Sequence, residues 1–490
     1  MESHPHDPLI EETIQKALIA AHAFTMLDQE QTDEITRAAY EAGFLNRWKL
    51  AEMAHKETDI GNIHDKMVKN IIATRFVYRD IKDQKTVGVI RKDEEAMITE
   101  IARPMGPIFA ITPVTNPTST ALFKILISMK TRNPIIIHPH GAARKCTIAA
   151  AEICYEAARK AGAPENCIQW IPRASRDQVL AFMAHGRTAL VLATGSVSLV
   201  KAAYSSGNPA IGVGPGNVPV YIGRSADVKF AVDQILTSKL FDLGTICASE
   251  QSLVVSRHNA KDVREELKRQ KAYFLSAEEM EKVGKIAINT TQKTMSPEVI
   301  GQPPEVIARL AGIKIPKGTR LLIAPMEPHQ VGIEWPLSLE ILAPILSYYE
   351  VVDFDHAITL CKKINEHGGL GHTVSIYSNN QAKIHYFADT LNAGRIVVNT
   401  PSSQGAIGAI YNSLTPSLTL ACGSGGKNFT TDNISARHLL NIQRIAHRKI
   451  KVCTEHHKGE AYCCDKNLTL EEIDKQCETA KSEQQNSNKD

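Results

Sequence analysis

The chain has 490 residues, 43% hydrophobic and 22% charged, the composition of a large globular protein with length for a buried core and about three domains. A formal net charge of +3 leaves no electrostatic footprint for nucleic acid. The ten cysteines are scattered along the chain, as reduced thiols are, and neither a signal-like start nor an apolar run of about 18 residues is seen, so a cytoplasmic protein with no membrane segment is expected.

Taken in order, residues 10–80 carry apolar positions at helical spacing, with Ile14, Leu18 and Ala21 on one face, and predict a helical lead-in. Thr86 to Ile90 and Met97 to Ile101 read as two strands around a charged turn, a hairpin over about 86–104. From 106 to 240 short apolar strands alternate with helices. The strands are 108–111, 135–138, 168–171 and 189–193, and 144–161 is a helix with Ile148, Ala151, Tyr155 and Ala158 at helical spacing. This alternation implies a covered parallel sheet with ligands at the carboxyl ends of its strands. A second alternating block spans 241–405, a C-terminal return 406–450, and a polar tail 451–490 with six Lys and nine Asp/Glu. The fold class is α/β, with two open twisted α/β domains, 1–240 and 241–405, and a small β element; a site belongs in the cleft between the domains.

Three local patterns carry chemistry. Cys247 lies where an apolar helical run gives way to small residues, Gly244 and Ala248 among them. A nucleophilic cysteine needs a pocket that lowers its pKa and neighbours small enough to admit a substrate, whereas a structural cysteine needs neither. Asn116, between Thr115 and Pro117, follows a strand and either closes an Asn-Pro turn or presents its amide. Gly195 and Ser196 join a strand to a helix, a turn that can face a phosphate.

Phe241 to Gln251 resembles the active-site segment of the CoA-acylating aldehyde dehydrogenases, especially the aldehyde dehydrogenase half of bifunctional aldehyde-alcohol dehydrogenases. Matching segments follow in the same order, from about residue 10 to about 450: Thr115 to Thr120, Lys130 to Asn133, Lys201 to Gly207, Gly212 to Asn217, Gly371 to Thr373 and Asn399 to Gly405. The resemblance implies an aldehyde dehydrogenase-like fold, nucleotide-binding domain first and catalytic domain second, with the hairpin and the 406–450 return serving oligomerisation as a homodimer or higher homo-oligomer. It implies Cys247 as nucleophile, Asn116 and the Cys247 N–H as oxyanion donors, and His372 as a neutral base. Thr115, His138, Pro139, Gly195, Ser196 and Gly214 would line the dinucleotide, with Glu340 on the nicotinamide ribose. NAD is the first choice. NADP stays open, because no acidic residue stands beside His138 and Pro139 in the sequence while Arg144 and Lys145 are near.

Where hydrolytic relatives carry a water-activating glutamate, this chain has Val213, so coenzyme A is expected as the acyl acceptor and a small aldehyde, acetaldehyde first, as substrate. The alternatives are an acylating sulfoacetaldehyde or succinate-semialdehyde dehydrogenase, a non-acylating aldehyde dehydrogenase, or a scaffold without turnover. No metal is expected: Cys453, His456, His457, Cys463 and Cys464 match no zinc spacing. Gly423 to Asn428 lacks P-loop spacing. No iron-dependent alcohol dehydrogenase half follows residue 450, so reduction through to an alcohol is not expected.

Overall fold

Helices open the chain because apolar spacing and capping agree there. In the computed structural model, which describes residues 7–291, 294–447, 469–472 and 475, α1 (Pro8–Phe24) starts with Asp7 accepting from the Leu9 N–H and Pro8 in the first turn. A capping box of Asp28 and Gln31 starts α2 (Gln29–Leu45). α3 (Arg47–Thr58) and α4 (Ile63–Ile71) follow, and a π turn at Ile72–Phe76 leads into α5 (Val77–Ile81). The expected hairpin is β1 (Gly88–Asp93) and β2 (Ile98–Pro104).

The first sheet contains β3 (Ile108–Ile111), β4 (Ile135–His138), β5 (Ile168–Trp170), β6 (Leu190–Thr194) and β7 (Ala210–Val213). Between them run α6 (Pro117–Lys130), α7 (Arg144–Lys160), α8 (Arg176–Ala184) and α9 (Val197–Tyr204). All its pairs are parallel, in the order β5-β4-β3-β6-β7. The chain runs outward from β3 to β5, then returns to the other side of β3. The switch point therefore lies between β3 and β6, and a crevice opens beyond their carboxyl ends.

The second sheet begins with β8 (Val218–Ile222), α10 (Val228–Leu240), β9 (Glu250–Ser256), α11 (Ala260–Arg269) and β10 (Ala272–Phe274). Next come α12 (Ala277–Ala287), the short antiparallel pair β11 (Ile288–Asn289) and β12 (Thr294–Met295), and α13 (Pro304–Ala311). It finishes with β13 (Leu321–Pro325), β14 (Ile345–Val351), α14 (Phe354–Glu366), β15 (Gly371–Tyr377), α15 (Gln381–Thr390), β16 (Ala393–Val398) and α16 (Ser402–Ile407). Its seven strands run parallel in the order β10-β13-β14-β9-β8-β15-β16. The change of sheet falls at 214–217, between β7 and β8, and not at the expected residue 240. β8 is wholly buried and short, so its apolar run gives no sign of which sheet it joins.

Residues 89–102 and the described residues from 442 onward form a unit of their own. In it β17 (Leu440–Ala446) extends the hairpin in the order β1-β2-β17, with Arg444 Nε donating to Glu100 Oε1 at 3.0 Å. Among the described residues no helix is long and apolar enough to cross a membrane.

Both faces of the first sheet are covered, which is why β3 is wholly apolar and β4 and β6 are apolar up to their last residues, His138 and Thr194. On one face Phe109 is fully buried and stacks on Phe182 with ring centroids 5.2 Å apart. Phe109→Ala should cost about 3–5 kcal/mol of stability, read as a lower denaturant midpoint at unchanged slope; an unchanged midpoint would contradict this packing.

Candidate active site

Four neighbouring strands of the second sheet begin at one place. Gly216 precedes β8, Cys247 precedes β9, Glu340 precedes β14 and His372 is the second residue of β15. The nucleophile candidate thus stands at the amino ends of this sheet, and the carboxyl-end rule describes only the first. Gly216 packs directly on the cysteine backbone: a Cβ there would lie 2.1 Å from the Cys247 carbonyl oxygen. Gly214, expected to line the dinucleotide, has open space around it. Gly244 serves the turn and not access to the sulfur, because its φ is 80° and a Cβ would meet the Ala343 backbone at 2.9 Å.

His372 Nε2 lies 3.2 Å from Cys247 Sγ, and Nδ1 lies 2.9 Å from Thr373 Oγ1. When the thiol donates to Nε2, the ring proton is on Nδ1 and Thr373 accepts it. Arg395 holds this arrangement from behind: its buried guanidinium donates to the carbonyls of His372 and Ala421, both at 2.8 Å, and to Thr373 Oγ1 at 3.3 Å. The loop at Gly423 to Asn428 supports the same strand. A Cβ on Gly371 would collide with the Cys422 carbonyl and lie 3.3 Å from the Gly426 nitrogen, while Asn428 Nδ2 donates at 2.7 Å to Gly212 O of β7 in the first sheet.

Protein groups alone do not lower the Cys247 pKa; this corrects the expectation. Burial pushes the thiol up to about 12, with Glu340 adding to the rise and Arg395 opposing it. Burial, then Arg395, holds the His372 imidazole down to about 3. The resting pair is a neutral thiol hydrogen-bonded to a neutral imidazole. Glu340 is pushed up to about 7 by burial, while its Oε1 accepts the Gly216 N–H at 2.8 Å.

Asn116 is the N-cap position of α6, but its side chain does not cap the helix. Its Oδ1 accepts from Lys69 Nζ at 2.6 Å, and its Nδ2 donates to Thr115 Oγ1 at 3.1 Å and to Thr245 O at 3.3 Å, two residues before the cysteine. Thr115 is buried; its carbonyl accepts from Lys66 and its hydroxyl serves Asn116.

The first sheet's crevice fits a dinucleotide. Thr112 Oγ1, His138 Nδ1 and Thr194 Oγ1 are buried without partners, and they close β3, β4 and β6 at the same edge. Orphaned polar atoms at one edge are what a bound polar ligand would satisfy. Pro139 is buried beside His138. Beyond Gly195, Ser196 Oγ accepts the Leu199 N–H at 3.4 Å at the start of α9, leaving earlier amides for a phosphate. An acidic residue is present at the crevice after all: Glu57 of α3 caps α7, accepting the Lys145 and Cys146 N–H groups at 2.8 and 2.7 Å. It is 88 residues from Lys145 in sequence, so local reading missed it. Lys69 and Arg395 were missed for the same reason. The tail cysteines and histidines lie outside the described residues; among the described ones, no group of His, Cys, Asp and Glu could hold a metal.

With substrates absent, iodoacetamide should inactivate the protein about tenfold faster per pH unit between about pH 6 and about pH 9, because the thiolate fraction keeps rising below the thiol's pKa. A plateau in that range would contradict the raised pKa of Cys247.

The model of the Aldehyde dehydrogenase family matches residues 6–410. The aldehyde-alcohol dehydrogenase of Clostridium acetobutylicum is 44% identical over 444 residues, covering 90% of this chain and 51% of the relative, so the chain spans about half the length of that protein. The succinate-semialdehyde dehydrogenase (acetylating) of Clostridium kluyveri is 34% identical, with 89% and 95% of the two chains covered. The crystal structure of an acetylating aldehyde dehydrogenase from Geobacillus thermoglucosidasius superposes with a TM-score of 0.87 at 46% identity, covering 90% of this chain and 96% of that one. With the paired α/β sheets and the cysteine at their junction, these matches establish that the chain belongs to the aldehyde dehydrogenase family.

Proposed function

We propose that the chain is a CoA-acylating aldehyde dehydrogenase, interconverting acetaldehyde, coenzyme A and NAD+ with acetyl-CoA and NADH. The observation that carries this reading is the 3.2 Å contact of Cys247 Sγ with His372 Nε2, combined with Val213 where a hydrolytic relative would have its glutamate. As sulfur bonds the carbonyl carbon, its proton passes to His372. The carbonyl π pair moves to oxygen, within reach of the Asn116 amide. The nicotinamide, when bound, supplies the hydride acceptor. Loss of hydride leaves a thioester on Cys247. The coenzyme A thiol then attacks the thioester carbon, Cys247 sulfur leaves and takes up a proton, and acyl-CoA is formed.

An uncharged substrate agrees with the fate of the nearby cations. Lys66, Lys69, Lys239 and Arg395 are buried, and each donates to protein acceptors, so none is left over for a sulfonate or a second carboxylate. NAD is favoured over NADP by Glu57, whose carboxylate occupies the α7 amides that a 2′-phosphate would otherwise use. Oligomerisation through the β1-β2-β17 sheet agrees with its exposed apolar side chains Val89, Met97 and Ile445. A cytoplasmic protein that binds neither nucleic acid nor membrane completes the reading. One observation favours a rival, hydrolytic reading: Glu340 lies within electrostatic reach of Cys247 and titrates near neutrality.

Coenzyme A dependence separates the two. NADH formation from acetaldehyde, butyraldehyde, sulfoacetaldehyde and succinate semialdehyde should require coenzyme A and be fastest with acetaldehyde; steady turnover without coenzyme A would sink the acylating reading. Cys247→Ala should lose at least about 10³-fold in acyl transfer while still binding NAD+ in a calorimeter. Glu57→Gln should tighten NADP+ binding about tenfold by removing like-charge repulsion; unchanged affinity would remove Glu57 from cofactor selection.

A further inference from the structure

The mechanism leaves unexplained a buried charged cluster behind Asn116. Lys66, Lys69 and Asp242 are each no more than 3% exposed. Asp242 Oδ2 accepts from Lys66 Nζ at 3.1 Å and from Lys69 Nζ, while Oδ1 accepts the Asn62 N–H at 2.8 Å. Asp242 and Leu243 have φ of 47° and 53°, left-handed values that cost a non-glycine residue free energy and persist only where surroundings impose them. Here the imposed turn aims the carboxylate inward at two ammonium groups.

Lys69 has three N–H donors and three acceptors: Asp242 Oδ2, Thr245 Oγ1 at 2.7 Å and Asn116 Oδ1 at 2.6 Å. An ammonium can only donate, so the atom of Asn116 that faces it must be oxygen. That settles which way the amide points: its NH2 is turned toward the cysteine loop, where in the resting site it donates to Thr115 Oγ1 and Thr245 O, and an oxyanion would take over one of these N–H groups. A cation on the amide oxygen also draws electron density from nitrogen and makes its N–H groups stronger donors. Burial pushes the ammonium down to about 8, with Asp242 opposing the fall, so most of its charge is present at neutral pH.

Resting on the acylating reading above, we infer that Lys69 is a positioning residue for the oxyanion site, locking the Asn116 amide with its N–H toward the oxygen that becomes negative when Cys247 adds to an aldehyde. Asp242 and Thr245 hold Lys69 in place, and Lys69 itself touches no reacting atom.

The test uses two reactions of one sulfur. Addition to an aldehyde places negative charge on oxygen; alkylation by iodoacetamide is a displacement at carbon and creates no oxyanion. Lys69→Met in the full chain should lower kcat/KM for acetaldehyde by about 10- to 100-fold, somewhat less than loss of a whole oxyanion donor. The Cys247 alkylation rate and the NAD+ Kd should stay within about twofold of wild type, since neither needs that donor. Lys69→Arg should recover part of the loss, and Lys69→Met should add nothing to Asn116→Ala. If Lys69→Met does not fold, Asp242→Asn, which loosens the same ammonium, should show the same aldehyde-specific loss. An aldehyde rate within about threefold of wild type, equal losses in both reactions, or a full additive loss on top of Asn116→Ala would each overturn the assignment. A wild-type chain without coenzyme A-dependent turnover would instead mark the failure of the acylating reading.

Discussion

The site depends on one buried junction, the Lys66–Asp242–Lys69 cluster, which ties α4 and the loop after β3 to the turn before Cys247. Burying three charges is expensive, and such clusters survive only when hydrogen bonds meet nearly every donor and acceptor. Here Asn62, Asp65, Thr115, Asn116 and Thr245 provide them, with Asp65 Oδ2 accepting the Asp242 N–H at 2.7 Å. A well-packed apolar junction could be as stable. The ionic one fixes direction, because each of the three Lys69 donors has its own acceptor and turning one away would leave a buried polar group unpaired, and a carbonyl addition of the kind proposed needs its donor aimed before charge develops.

Around that junction the two sheets contribute opposite ends. The first offers carboxyl ends with unpaired polar atoms, suited to a polar ligand lying across them. The second offers the amino ends of four adjacent strands, where Gly216, Cys247, Glu340 and His372 come together because β14, β9, β8 and β15 are neighbours in the sheet. The close packing explains the resting electrostatics. A crowded, largely dry site disfavours thiolate, imidazolium and carboxylate alike, so Cys247 and Glu340 rise and His372 falls. Charge separation within such a pair gains from low dielectric once an opposite charge is nearby. A positively charged nicotinamide would be one.

Glu57 has a structural role that does not depend on the cofactor. By accepting two N–H groups of α7 it supplies the cap that Ala143 has no side-chain oxygen to provide. The same carboxylate ties α3 to the amino end of α7, the helix that follows β4.

Much was legible from residues alone. The apolar runs at 108–111 and 135–138 are strands over those spans, since a fully covered parallel sheet leaves few polar choices. Cys247, Asn116 and His372 could be named because short motifs surround them and persist in order along the chain. Chain order could not reveal that β8 belongs to the second sheet, that Gly216 packs on the cysteine backbone, or that Glu57, Lys69 and Arg395 arrive from distant elements. Those are outcomes of three-dimensional juxtaposition: a lysine on α4 has the local pattern of a solvated helix face until the turn at Asp242 folds over it, and a thiol's pKa is set by what excludes water from it.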